Sequence, residues 1–150
     1  MNNGYVIIWM IKMFRKGKKI MKRISTGIEN FKELLDNNYY YVDKTKLIED
    51  VLSDKVTLYT RPRRFGKTLN MSMLYYFFSN KEKDNTYLFN NLKITKNQEV
   101  MKHQNKYPVM FLTFKDLSRE TMEMQIDKFK AMVSKLTEDY SELFLILYLI

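Results

Sequence analysis

The apolar positions fall into a few separate runs along the chain. Ile28, Phe31, Leu34 and Leu35 recur at helical spacing and form one face, which Asp36-Asn37-Asn38 stops. Thr26, with Glu29 three residues later, has the form of a capping box ahead of that face. Tyr39-Tyr40-Tyr41-Val42 reads as extended. Asp43 stands where an N-cap would open a second helix, with Leu47, Ile48, Val51 and Leu52 as its buried stripe. Val56-Thr57-Leu58-Tyr59-Thr60 is β-branched and aromatic, and it predicts a buried strand. From Gly66-Lys67-Thr68 to Phe78 the chain is rich in Leu, Met and aromatics on every side, the pattern of a helix buried against a sheet.

Ser79 to Thr86 is polar and charged and reads as a solvated loop. Tyr87-Leu88-Phe89 and Leu92 with Ile94 are apolar anchors around a turn at Asn90-Asn91, and the polar stretch from Glu99 to Lys106 favours no element. Val109 to Phe114 is nearly all apolar and predicts a second strand, of the kind covered on both faces. A helical crossover between the two strands implies that they run parallel and connect right-handedly. The expected fold class is therefore α/β, a parallel sheet with helices on both faces. From Met122 the positions Met122, Ile126, Phe129, Val133, Leu136, Tyr140, Leu143 and Leu147 alternate in steps of four and three, which marks a long amphipathic helix. Leu143 to Ile150 is apolar throughout, too short to span a membrane, and an exposed patch unless something covers it.

Composition narrows the classes. A chain of 150 residues can bury one core, and its charges are dispersed, so it is neither disordered nor low in complexity. The absence of cysteine excludes a disulfide framework and thiolate metal sites, which fits a cytoplasmic location. The single histidine, His103, excludes a His-rich metal site and reads as a solvated surface residue. The net charge of +9 is uneven: Lys12, Arg15, Lys16, Lys18 and Lys19, with no acid beside them, supply more than half of it. Residues 1–20 thus stand apart as a leader, and residues 21–150 form a mildly basic domain. The leader's apolar run, Tyr5 to Met10, is too short for a membrane span. Its charges follow that run and no small-residue cleavage site appears, so it reads as a poor signal peptide. Lys16-Gly17 can be encoded by a purine-rich ribosome-binding sequence just upstream of Met21, so translation is expected to begin at Met21. An interfacial basic helix is the alternative. Mass spectrometry of the native product decides, and a product starting at Met1 would refute the later start.

The chemistry concentrates between the first predicted strand and the helix after it. Strand, loop, Gly66-Lys67-Thr68 and helix is the order of a phosphate-binding loop. Backbone N–H groups at a helix start carry partial positive charge and cradle phosphate oxygens. Lys67 would reach the β- and γ-phosphates, and the Thr68 hydroxyl would hold magnesium. The full pattern wants a glycine at the position of Arg61, so the loop turns differently here or leans on Pro62. Thr60 to Met73, T-R-P-R-R-F-G-K-T-L-N-M-S-M, resembles the corresponding loop of the AAA-ATPase-like family, in which arginine at the first-glycine position is usual. Y-Y-Y-V-D-K-T at Tyr39 to Thr45 and P-V-M-F-L-T-F-K-D at Pro108 to Asp116 resemble two further blocks of that family, in the same order.

The resemblance implies a partial P-loop NTPase fold that binds ATP with magnesium. It implies as well a C-terminal effector or PD-(D/E)xK nuclease-like region, to which such chains are often fused. The expected ligands are Gly66, Lys67 and Thr68, with Thr68 on the metal. Arg63 and Arg64 either contact phosphate or pair at the surface. In relatives the segment before the loop lies near adenine, so the tyrosines at 39–41 either stack on the base or pack in the core, the second being favoured. Asp116 ends the second strand, where an acid could position magnesium, but capping of the next helix is the favoured role. No acidic I-D-E-Y-D-like segment follows, so the expectation is a truncated ATPase domain that binds ATP without efficient hydrolysis. Two rivals remain open: a basic nucleic-acid-binding module built on Arg61, Arg63, Arg64 and nearby tyrosines, and a remnant that folds poorly. No membrane partner is expected.

Overall fold

The computed structural model describes residues 22–60, 62, 65–113 and 121–141. In its first unit, Met1–Tyr107, helix α1 spans Phe31–Asp36. Its N-cap is Asn30, whose side-chain oxygen accepts from the Glu33 N–H at 3.0 Å. Capping therefore falls one turn later than the Thr26–Glu29 box. Gly27 sits at φ +85°, a left-handed turn, and the residues between it and Asn30 are not helical. The helix ends at Asp36, where the sequence placed its stop, and Asn38 takes φ +54° just beyond. Helix α2 spans Lys46–Ser53 and buries Ile48 fully, with the rest of its expected stripe only half-covered.

Helix α3, Lys67–Phe78, is the centre of this unit. Its buried face is Asn70, Met73 and Phe77, at the i, i+3, i+7 spacing of one helical stripe. Aromatic packing covers that stripe. Phe31 of α1 lies 5.3 Å from the Phe89 ring, centroid to centroid, and Phe77 meets Phe89 edge-on at 5.1 Å. The two polar side chains that α3 buries are satisfied. Ser72 Oγ accepts from the Phe31 N–H at 3.0 Å, and the Asn70 amide donates to the Tyr59 hydroxyl at 2.9 Å. Phe89 belongs to a 3₁₀ run, Asn80–Phe89, kinked at Glu82, and a shorter 3₁₀ turn at Lys93–Lys96 leads into helix α4, Gln98–Met101. The polar stretch at Ser79 to Thr86 is solvated as expected, with most of its residues exposed, but it is turned structure tied to the core at Leu88 and Phe89 and not an open loop.

The carbonyls that a helix end leaves without partners are taken up by residues 105–107. The backbone N–H groups of Asn105 and Tyr107 donate to the carbonyls of Phe77 and Phe78 at 2.7 and 2.9 Å. The Asn105 amide adds bonds to the carbonyls of Tyr76 and Ser79. Asn105 is buried and holds φ +54°. Asn105→Ala should therefore cost about 2–3 kcal/mol, from unmade buried hydrogen bonds plus left-handed strain. Asn105→Gly should cost less, because glycine keeps that backbone without strain. Equal losses in urea melts of the two variants would mean that the backbone conformation contributes nothing.

The expected parallel sheet is not there. Among the described residues no strand forms, and pairing is confined to two isolated parallel bridges, Arg23 with Tyr39 and Ser79 with Tyr107. Val56 and Leu58, on the first predicted strand, are 87% and 86% exposed. Met110, Phe111 and Leu112, on the second, are exposed as well, while Phe114 lies outside the described residues. The α/β class, the partial P-loop NTPase fold and the right-handed crossover fall with the sheet. The physical reason is that β-branched and aromatic residues report how a side chain suits a pleated surface, whereas a strand exists only when its backbone finds a ladder partner. The described face of α3 is covered by α1 and the 3₁₀ run instead.

The second unit, Pro108–Ile150, contains helix α5, Met122–Asp139, capped by Thr121, whose hydroxyl accepts from the Met124 N–H at 3.3 Å. The long helix stands where the four-three spacing placed it. Met122, Ile126, Phe129 and Val133 remain substantially exposed along it, and the following Tyr140 is buried, its hydroxyl donating to the Val109 carbonyl. Leu143 to Ile150 lies outside the described residues, as does the leader 1–20. No helix among the described residues is long and apolar enough to cross a membrane.

Candidate functional site

The head of α3 is built from the one residue that can make its turn without strain. Gly66 is the N-cap at φ +75°, ψ +26°, a left-handed conformation that costs any other L-residue free energy. Its carbonyl accepts the first helical bond, from the Asn70 N–H at 2.9 Å. No side chain caps the helix, so its leading N–H groups have no partner of that kind. Lys67 is exposed and Thr68 half-buried at the same end. Three of the expected ligands, Gly66, Lys67 and Thr68, are thereby gathered at the positive end of a 12-residue helix. Arg61, Arg63, Arg64 and Asp116 lie outside the described residues.

A second element reaches this end. The ammonium of Lys44 lies 3.9 Å from the point where a Cβ on Gly66 would stand. Lys44 belongs to a braced loop. The Asp43 carboxylate accepts from the Thr45 N–H at 2.9 Å, from the Thr45 hydroxyl at 2.6 Å, and from the Lys93 N–H at 2.7 Å. Asp43 is therefore not the side-chain cap of α2. It fastens the loop before α2 to the 3₁₀ turn at Lys93. Burial alone would raise the Asp43 carboxyl, but the Thr45 hydroxyl and the Lys93 and Thr45 N–H groups outweigh it and hold it below the usual carboxylate range. A carboxyl depressed in the folded state contributes stability above its unfolded value, and that contribution is lost as pH falls through the folded value. Asp43→Asn should accordingly be less stable at neutral pH, yet lose less on acidification below about pH 4. Parallel acid-unfolding curves for the two proteins would contradict this.

Of the two roles expected of the tyrosines, core packing is visible at Tyr41. Tyr41 meets Phe31 edge-on at 5.3 Å, and its hydroxyl donates to the Met73 sulfur at 3.2 Å and accepts from the Lys44 N–H at 3.3 Å. Burial pushes its phenol up to about 12. Core packing is its role. Tyr40 is 57% exposed. His103 is not simply solvated, since its ring stacks on Tyr107, to whose hydroxyl Nδ1 is bonded.

Beside α3 a cavity of about 280 Å³ is lined by Leu47 and Val51 of α2, Thr57, Tyr59, and Met71 and Leu74 of α3.

As for cofactors, an uncapped helix head with a lysine at its first position suits a phosphate group. Among the described residues no three His, Cys, Asp or Glu side chains cluster to hold a metal. Magnesium keeps several waters and takes phosphate oxygens, so one protein oxygen such as the Thr68 hydroxyl is a compatible donor set.

Residues 25–144 match the model of a family described as Predicted AAA-ATPase, and that match takes in the Lys44 loop, the head of α3 and all of α5. The chain belongs to this AAA-ATPase-like family. Neither a curated protein nor a solved structure matches it.

Proposed function

We propose that the chain binds ATP with magnesium at Gly66, Lys67 and Thr68 and turns it over poorly. The observation that carries this reading is Gly66 in left-handed conformation at the uncapped head of α3, followed directly by Lys67 and Thr68, in a member of an ATPase-like family. The N–H groups there would receive phosphate oxygens, and the Lys67 ammonium would add a full charge. Thr68 would hold magnesium, which, when bound, neutralises charge on the phosphates. Arg63 and Arg64, from the same loop, would add phosphate contacts. Hydrolysis needs more: an acid near the metal and a group that orients the attacking water. The sequence offers only Asp116 for the first and no candidate for the second.

Two assays on the purified chain test this. Calorimetric titration with Mg-ATP should show binding, and phosphate release should stay near background. Robust turnover lost in both Lys67→Ala and Asp116→Ala would overturn the second half of the proposal and assign Asp116 to the metal. Salt-sensitive binding of DNA or RNA that Lys67→Ala only weakens, without ATP binding, would point to the nucleic-acid module instead.

A further inference from the structure

We infer that Lys44 supplies a second cation to the phosphates at the head of α3; this rests on the ATP-binding reading above and names one more residue of that site. Three observations converge. The loop that carries Lys44 is fixed on both sides. Asp43 is held by three hydrogen bonds, Thr45 is fully buried, and the Lys44 N–H itself is bonded to Tyr41. The ammonium then comes to rest beside Gly66, 3.9 Å from the site of its missing Cβ, although the two residues lie 22 positions apart. Finally, among the described residues that ammonium has no carboxylate partner, the ion pairs there engaging Lys32, Lys102 and Lys130.

The electrostatics make this arrangement informative. A cation is stabilising at the C-terminal end of a helix and unfavourable at the N-terminal end. Lys44 stands at the N-terminal end of α3, the end that Lys67 also shares, and among the described residues no carboxylate pairs with the Lys44 ammonium. A lysine serving stability alone would gain from the opposite placement. An anion seated between Lys44, Lys67 and the helix N–H groups turns the same repulsion into attraction from both sides. A polyphosphate has the charge to do so, and it would join the entrance of α2 to the head of α3.

Lys44→Met and Lys44→Arg, with Lys67→Ala as reference, should be titrated with Mg-ATP and with ADP, and each apo protein melted. Lys44→Met should weaken Mg-ATP binding by about tenfold or more, the worth of one charge-assisted hydrogen bond. Lys44→Arg should restore most of that, and ADP should lose less than ATP because it carries less charge. The apo melting temperature of Lys44→Met should not fall, because removing an unpaired cation from a helix N-terminus removes a repulsion. Wild-type affinity in Lys44→Met beside lost affinity in Lys67→Ala would overturn the role of Lys44 and leave the ATP site standing. Equal losses in the Met and Arg variants, with lower melting temperatures, would mark a structural residue and overturn it too. Wild-type affinity in Lys67→Ala as well would remove the ATP site and this inference together.

Discussion

Lys67→Ala should reduce Mg-ATP affinity by about a hundredfold or more while leaving the fold intact. Lys67 is the first residue of α3 and its side chain is exposed, so the core does not depend on it. Hydrogen bonds to charged groups are worth about 1.5–3 kcal/mol each, and an ammonium bridging two phosphates makes more than one. Since 1.4 kcal/mol is a factor of ten in affinity, the loss should be plain in a calorimetric titration. Alanine also suits a helix start, so far-ultraviolet circular dichroism and the melting temperature should barely move. A folded Lys67→Ala protein that binds Mg-ATP like the wild type would end the phosphate-binding assignment at this helix.

Phe31→Ala should have the largest effect on stability. The Phe31 ring is fully buried, lies tilted against Phe89 and meets Tyr41 edge-on, while its backbone N–H is bonded to Ser72 of α3. It is thus the residue through which α1, the tyrosine segment and the 3₁₀ run share one core. Truncating a buried phenylalanine costs about 3–5 kcal/mol, through lost transfer free energy and the cavity left behind. A domain of this size has about 5–15 kcal/mol in all, so the variant should be close to unfolding at moderate temperature. Met71→Ala makes the contrast. Met71 lies on the same unit but is 45% exposed, and its truncation should cost under about 1 kcal/mol. Similar urea midpoints for the two variants would contradict this description of the core.

The helical part of this architecture was legible in the sequence, and for a physical reason. A helix closes its hydrogen bonds within one segment, so local spacing carries most of the information. The stop at Asp36, the α2 and α5 segments and the start of α3 at Gly66-Lys67-Thr68 all follow from such local signals. The sheet failed because its bonds lie between distant segments. Val56 to Thr60 has the composition of a strand, and its exposed Val56 and Leu58 show that composition alone did not bring a partner. The 3₁₀ run was missed for the opposite reason. Asn80-Lys81-Glu82-Lys83-Asp84 reads as solvated, and it is held in place by Leu88, Phe89 and the distant Asn105. At the candidate site, Gly66, Lys67 and Thr68 are contiguous and could be singled out together. Lys44 could not, because its place beside Gly66 depends on how Asp43 is anchored to Lys93. The only local hint was its membership in the Y-Y-Y-V-D-K-T block. Arg63, Arg64 and Asp116 fall outside the described residues and stand as expectations.

The most direct test of the central claim is to map Mg-ATP onto the backbone amides of the ¹⁵N-labelled chain by nuclear magnetic resonance. Phosphate oxygens received by N–H groups at the head of α3 should shift the amides of Gly66, Lys67 and Thr68 more than any others, with Lys44 also displaced, and adenosine alone should leave all four nearly still. Saturable shifts centred elsewhere, or none at these amides with Mg-ATP in large excess, would contradict the account.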